Sequence, residues 1–153
     1  MADTVTKERR SQNMARIKGR NTGPELAVRR VLRDLGLGYR LHVATLPGRP
    51  DVVMKGRRKI IEVRGCFWHR HPGCKFAYTP KSNVSFWSRK FASNVARDER
   101  NKAALQNSGW DVLVVWECEA NDAKLLQRHV RLFIRRKGQE LGSQSGRRYL
   151  QKN

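Results

Sequence analysis

Pro50-Asp51-Val-Val-Met54-Lys-Gly-Arg57-Arg-Lys59-Ile-Ile-Glu62-Val-Arg64-Gly-Cys66-Phe-Trp-His69-Arg-His71-Pro-Gly-Cys74 holds the main features of the chain in 25 consecutive residues. Its first half has two short apolar runs, Asp51 to Met54 and Lys59 to Val63, on either side of Lys55-Gly-Arg57. That pattern predicts a β-hairpin. Its second half is an irregular segment, residues 64 to 83, rich in Gly, Pro and side chains that bind metals. Cys66, His71 and Cys74 stand at gaps of five and three residues, beside glycines that let a backbone fold round an ion. The third and last cysteine, Cys118, follows the apolar run Trp110 to Trp116. Together they make a Cys3His set, the composition of a closed structural zinc site. The competing reading is three buried, inert cysteines and an incidental histidine.

The acids of the hairpin carry the second expectation. Residues i and i+2 of a strand share a face, so Glu62 and Arg64 project together. Pairing through the Lys55-Gly-Arg57 turn brings Asp51 near Glu62. Carboxylates meeting at a strand edge form a hard-oxygen site suited to Mg2+, which beside a phosphate offsets developing negative charge. In the bland alternative Asp51 merely opens a strand and Glu62 pairs with Arg57 or Lys59. His69 is left over once His71 is given to zinc, and an imidazole near the Asp51 strand end suits general-base work on water. Phe67 and Trp68 are adjacent rings in a segment with little core character. They suit stacking on bases or wedging between them, with Trp87 as a third member. Packing within the domain is the alternative for each. His42 and His129 show no comparable context.

Working outward, Thr22-Gly-Pro-Glu25 begins a helix whose stripe is Leu26, Val28, Val31, Leu32 and Leu35, ended by Gly36 and Gly38. Tyr39 to Val43 is a short strand and residues 46 to 50 a turn. Phe86 to Gln106 reads as a long basic helix, stopped by Gly109. Trp110 to Trp116 is a buried strand, and residues 122 to 136 an amphipathic helix. The order helix, strands, helix, strand, helix predicts an α/β fold, a small mixed sheet flanked by helices. Residues 1–21 form a basic arm that orders on a phosphate backbone, or else a solvated tail. Residues 22–137 form the folded domain, and 138–153 a polar tail.

With 33 Lys+Arg against 13 Asp+Glu, the 153-residue chain carries a formal charge of +20. That charge calls for a polyanionic partner and excludes an ordinary enzyme of small neutral metabolites. Nucleic acid is the obvious polyanion, an anionic membrane surface the alternative. No stretch approaches the ~18 apolar residues of a membrane span, and the N-terminus lacks an apolar signal core. A cytoplasmic protein that does not span a membrane is therefore expected.

Two resemblances refine these expectations. The Pro50-Asp51 and Glu62-x-Arg64 arrangement resembles the PD-(D/E)XK nuclease pattern, with Arg64 where Lys is usual. Over residues 8 to 134 the chain resembles the very short patch repair (Vsr) endonucleases, which act on T:G mismatches. The strings that carry this are Gly65-Cys-Phe-Trp-His-x-His71, Leu46-Pro-Gly-Arg-Pro-Asp51, Phe86-Trp87, Asn94-Val-x-Arg-Asp98 and Gly109-Trp-x-Val-Leu-x-Val-Trp-Glu-Cys118, with Arg10-Ser-x-Asn-Met14, Thr22 and Glu25.

The resemblance implies a PD-(D/E)XK-like, restriction-endonuclease-like domain with structural Zn2+ on Cys66, His71, Cys74 and Cys118. It implies a Mg2+-dependent nick on the 5′ side of the mismatched thymine. Asp51 is then the principal Mg2+ ligand with the Val63 backbone oxygen, Glu62 a possible further ligand, His69 the general base and Glu25 an assistant in the metal–water network. Phe67, Trp68 and Trp87 wedge into the duplex, and Arg16, Arg20, Asn94 and Arg97 contact it. The implied partners are double-stranded DNA with a T:G mismatch, mismatch-repair proteins and a cytosine-5 methyltransferase pathway, for a monomer. Glu62 and Arg64 depart from the family pattern, where an apolar residue and a histidine are familiar. The alternatives are a restriction-type nuclease of other specificity and a non-catalytic, zinc-stabilised DNA-binding module.

Overall fold

The hairpin forms where the two apolar runs predict it. In the computed structural model, which describes residues 21–137, strand β2 (Val52–Met54) pairs antiparallel with β3 (Lys59–Arg64). The turn between them is a single 3-10 turn at Lys55–Arg57. Register runs Val52 to Ile61, Val53 to Ile60 and Met54 to Lys59, which sets Asp51 beside Glu62 at the end of the ladder. A two-residue strand β1 (Arg40–Leu41), shorter than the sequence suggests, pairs antiparallel with the outer edge of β2. On the other side β4 (Asp111–Trp116) runs parallel to β3, completing the order β1-β2-β3-β4. Parallel neighbours need a long crossover. Here it is the metal-ligand segment followed by the helix Val84–Asn107, which starts two residues before the expected Phe86.

Three further helices complete the order: α1 (Gly23–Asp34), before β1, then α3 (Glu117–Ala120) and α4 (Ala123–Arg135), with Val84–Asn107 as α2. The short α3, four residues long, has no apolar periodicity to announce it in the sequence. Alternation along the strands splits the core into two layers. Val52, Met54, Ile61 and Val115 face Val28 and Leu32 of α1 and Leu126, Val130 and Phe133 of α4. Val53, Ile60 and Val112 face Leu105 of α2 and Trp110. Each fully buried Val, Leu or Phe side chain contributes about 1.5–3 kcal/mol. Leu26, counted in the α1 stripe from sequence, points to solvent instead.

The far end of the sheet is locked by a charge network built on the buried Lys59 and Asp111. Lys59 Nζ donates to Asp111 Oδ2 at 2.8 Å and to the Arg136 carbonyl at 3.0 Å, and Arg136 Nη2 donates to Asp111 Oδ1 at 2.6 Å. Lys59 and Asp111 are register partners on β3 and β4. Against the pull of burial, the Arg136 and Lys59 bonds hold the Asp111 carboxyl below its usual range. Lys59 is therefore not the partner of Glu62. Residues 1–20 and 138–153, which hold Arg16, Arg20, most of the expected basic arm and the tail, lie outside the described residues. Among the described residues no helix is long and apolar enough to cross a membrane.

Candidate active site

At the opposite end of the hairpin a cavity of about 1020 Å3 gathers Glu25, His42, Asp51, Glu62, Val63, Arg64, Phe67, Trp68, His69 and Asp98. Six separated stretches of chain meet there, which is why no local window of sequence shows the whole site.

Asp51 is held by its neighbours before any substrate arrives. Its Oδ2 accepts a 2.7 Å hydrogen bond from the Val63 N–H across the hairpin. Burial first, then a shared hydrogen bond with Glu25, pushes its pKa up to about 7, while the Val63 bond pulls the other way. Two carboxylates crowded together in a partly desolvated cleft oppose each other's ionisation. Glu25 comes from the first turn of α1, where it is the third residue of a capping box. The Thr22 hydroxyl accepts from Glu25 N, and Glu25 Oε2 accepts from Thr22 N at 3.0 Å. The cap uses Oε2 and fixes the carboxylate at the cavity. The Thr-x-x-Glu spacing of the cap is visible in the sequence, whereas the place of Glu25 at the cavity comes from the fold.

Glu62 and Arg64 do share a face, and they bond to each other, with Arg64 Nη2 2.7 Å from Glu62 Oε2. This corrects the alternative pairing of Glu62 with Arg57 or Lys59. One Glu62 oxygen is thus already occupied by a cation, which weakens its candidacy as an ion ligand.

His69 lies in a tight turn, its N–H bonded to the Gly65 carbonyl. Its Nδ1 is 2.6 Å from Asp98 Oδ2 on α2. That contact directs Nε2 away from Asp98, and the carboxylate orients the ring. Asp98 stands in the string Asn94 to Asp98 without a role of its own in the sequence, and the fold makes it the partner of His69. Its signal is helical spacing: Asn94, Asp98 and Asn101 are polar at i, i+4 and i+7 of one face. Asn94, expected to touch DNA, is buried and donates from Nδ2 to the Trp68 carbonyl at 3.0 Å. Arg97 reaches back to Asn94 Oδ1 at 3.4 Å. Asn101 packs against Gly48, where an added Cβ would stand 2.8 Å from its Nδ2.

The aromatic expectation divides. Phe67 and Trp68 are half-buried at the cavity rim. Trp87 is only 6% exposed and backs them, with ring centroids 5.5 Å from Phe67 and 5.9 Å from Trp68. In this conformation Trp87 is therefore a floor beneath the two rings and not a free wedge. Arg70, a second residue without a role from sequence, staples the loop. Its guanidinium sits 3.9 Å over the Phe91 ring and donates to the carbonyls of Ala77 and Tyr78 at 2.8 and 2.9 Å.

Behind this loop Cys66, His71, Cys74 and Cys118 converge, with all four ligand atoms within 4.8 Å of one another. His71 Nδ1 lies 3.7 Å from Cys66 Sγ and 3.4 Å from Cys118 Sγ. A tetrahedral zinc with ordinary Zn–S and Zn–N bonds spaces such atoms by about 3.6 Å, so the donor set fits a metal. Without one, burial pushes the Cys66 thiol up to about 12. The His71 ring stacks on Trp116 at 4.3 Å, tying the cluster to β4.

Comparison with known proteins decides the family. Residues 2–75 match the model of the DNA mismatch endonuclease Vsr family. The chain is 46% identical over 134 residues to the type II nicking enzyme V.XorIIP of Xanthomonas oryzae, covering 88% of this chain and 98% of that protein. It is 44% identical over 118 residues to the DNA mismatch endonuclease Vsr of Escherichia coli, covering 77% and 75%. The chain belongs to the Vsr family. A Neisseria meningitidis nicking enzyme, V.NmeAIP, is 35% identical over 135 residues, 88% of this chain and 96% of its own. As a Vsr-family DNA endonuclease, the protein has Gly48 to Asp51 of the first string, and Gly65, Phe67, Trp68 and His69 of the second, on the walls of one cavity.

Proposed function

We propose that this Vsr-family endonuclease nicks one DNA strand on the 5′ side of the thymine in a T:G mispair, starting repair of deaminated 5-methylcytosine. The observation that carries the reading is the meeting of Asp51, Glu25 and the His69–Asp98 pair in one cavity rimmed by Phe67 and Trp68. In this reading the domain is a PD-(D/E)XK fold. Asp51, the Val63 backbone oxygen and Glu25 would hold the Mg2+ shell, directly or through water, and Glu62 could add only the oxygen not bonded to Arg64. Cys66, His71, Cys74 and Cys118 hold structural Zn2+.

When bound, Mg2+ supplies positive charge at the scissile phosphate and acidifies water. The protein's own groups do the rest. His69 takes the proton of the attacking water, and Asp98 keeps its ring oriented and stabilises the charge. Arg64, clamped by Glu62, presents a fixed cation to the phosphate. Phe67 and Trp68 enter the stack beside the mispair, with Trp87 and the Asn94 bond to the Trp68 carbonyl bracing them. Residues 1–21, with Arg16 and Arg20, and Arg97 on α2 track the backbone, while 138–153 is a tail. The protein acts as a monomer at the nucleoid, downstream of a cytosine-5 methyltransferase and alongside mismatch-repair proteins.

Strand-resolved cleavage of end-labelled T:G, T:A and C:G duplexes with Mg2+ tests this. Cutting of the T strand alone, on T:G alone, is the expected result. Cutting of both strands, or of matched duplexes, favours the restriction-type alternative.

A further inference from the structure

His42 had no role from sequence, yet it stands in the cavity. It follows β1 directly and adopts the left-handed backbone region, φ +48°, uncommon for a residue with a Cβ. Its N–H donates to the Asp51 carbonyl at 3.3 Å, so it is tied opposite Asp51. Its Nδ1 lies 3.9 Å from Asp51 Oδ1, and its side chain is 15% exposed. Glu25, His42 and Asp51 arrive from three different parts of the chain, and their ligand atoms all fall within 4.8 Å of one another.

We propose that His42 is a nitrogen ligand, through Nδ1, of the divalent ion at Asp51, making the centre a mixed imidazole and carboxylate site. The inference rests on the reading of Asp51 as a metal ligand. The 3.9 Å separation is about 0.3 Å short of the roughly 4.2 Å trans span of an octahedron with 2.1 Å bonds. One neighbour opposes ligation in the metal-free arrangement. Arg29 Nη2 is 3.3 Å from His42 Nε2, and a guanidinium only donates, so Nε2 offers its lone pair and the ring proton sits on Nδ1. Ligation transfers that proton to Nε2 and turns Arg29 away. Arg29 already has other partners, Asn21 Oδ1 at 2.8 Å and Glu25 Oε2 at 3.8 Å, so the ion displaces one contact among three. An imidazole donor shifts preference from Mg2+ toward ions that take nitrogen more readily, such as Mn2+ and Co2+.

Pulsed EPR of Mn2+ bound to the full-length, zinc-replete protein tests the assignment without reference to cleavage. The expected result is a 14N coupling that disappears in His42→Gln, survives in His69→Ala, and requires Asp51, being lost with the bound Mn2+ in Asp51→Asn. Mn2+ affinity in His42→Gln falls about tenfold or more, while Mg2+ affinity falls less. Mn2+ bound in an Asp51-dependent manner without 14N coupling in the wild type overturns the His42 assignment and leaves the Asp51 centre standing. A coupling that persists in His42→Gln also overturns it. Absence of Asp51-dependent Mn2+ binding overturns both readings.

Discussion

Replacing Asp98 with Asn isolates the contribution of the carboxylate behind His69. The 2.6 Å contact to Nδ1 is short, and the Asp98 side chain is only 13% exposed, so the bond is charge-assisted and poorly screened. Such bonds contribute about 1.5–3 kcal/mol. At about 1.4 kcal/mol per decade, Asp98→Asn lowers the single-turnover nicking rate roughly 10- to 150-fold. Asn keeps the shape and a carbonyl acceptor, so mismatch affinity and melting temperature stay near wild type. General-base removal in His69→Ala costs on the order of 10²- to 10⁴-fold. Because Asp98 acts only through His69, the double variant is no slower than His69→Ala alone. Rates come from rapid-quench nicking of a labelled T:G duplex with enzyme in excess. A rate within twofold of wild type in Asp98→Asn refutes the positioning role. So does multiplication of the two losses in the double variant.

Three further outcomes follow from other parts of the molecule. Asp51 has its folded pKa raised to about 7 from 3.8, so the metal-free protein binds more protons folded than unfolded between those values. Its stability therefore rises as pH falls from 7 toward 4, by at most about 1.4 kcal/mol per pH unit, and calorimetry of Asp51→Asn shows this component missing. Asp111→Ala strands Lys59 in the sheet and costs about 3–5 kcal/mol, read from the denaturant midpoint; a cost under about 1 kcal/mol means the network contributes little. Cys118→Ala removes the only cluster ligand outside residues 66–74. That variant retains less than one Zn2+ per chain by metal analysis and melts at lower temperature, whereas equal zinc content in variant and wild type excludes Cys118 as a ligand.

Local pattern made the hairpin, the β4 strand and the three long helices legible, because each is set by apolar periodicity or a turn signal inside a short window. The Cys and His convergence was legible for a different reason, since the residue types are scarce and the spacing is a ligand spacing. What escaped depends on contacts between windows. Asp98 is an ordinary acid on a basic helix until the loop brings His69 to it. His42 gains meaning only when β1 pairs with β2. For Trp87 the sequence leaves wedge and packing within the domain both open, and the fold decides by setting Phe67, Phe91 and Trp68 around it. The Glu62–Arg64 pair was visible as a shared face, while the choice of Arg64 over Lys59 turned on the parallel β3–β4 register, which gives Lys59 to Asp111.

The central claim is that Asp51 serves chemistry and leaves recognition to the rings and the basic surface. Its most direct test is a paired measurement on Asp51→Asn: nicking of a T:G duplex with Mg2+ under single turnover, and equilibrium binding of the same duplex. The account predicts a rate reduced by at least about 10³-fold, on the order of a metal-ion contribution of several kcal/mol, with affinity within about threefold of wild type. Nicking at the wild-type rate, or loss of binding in step with loss of nicking, contradicts it.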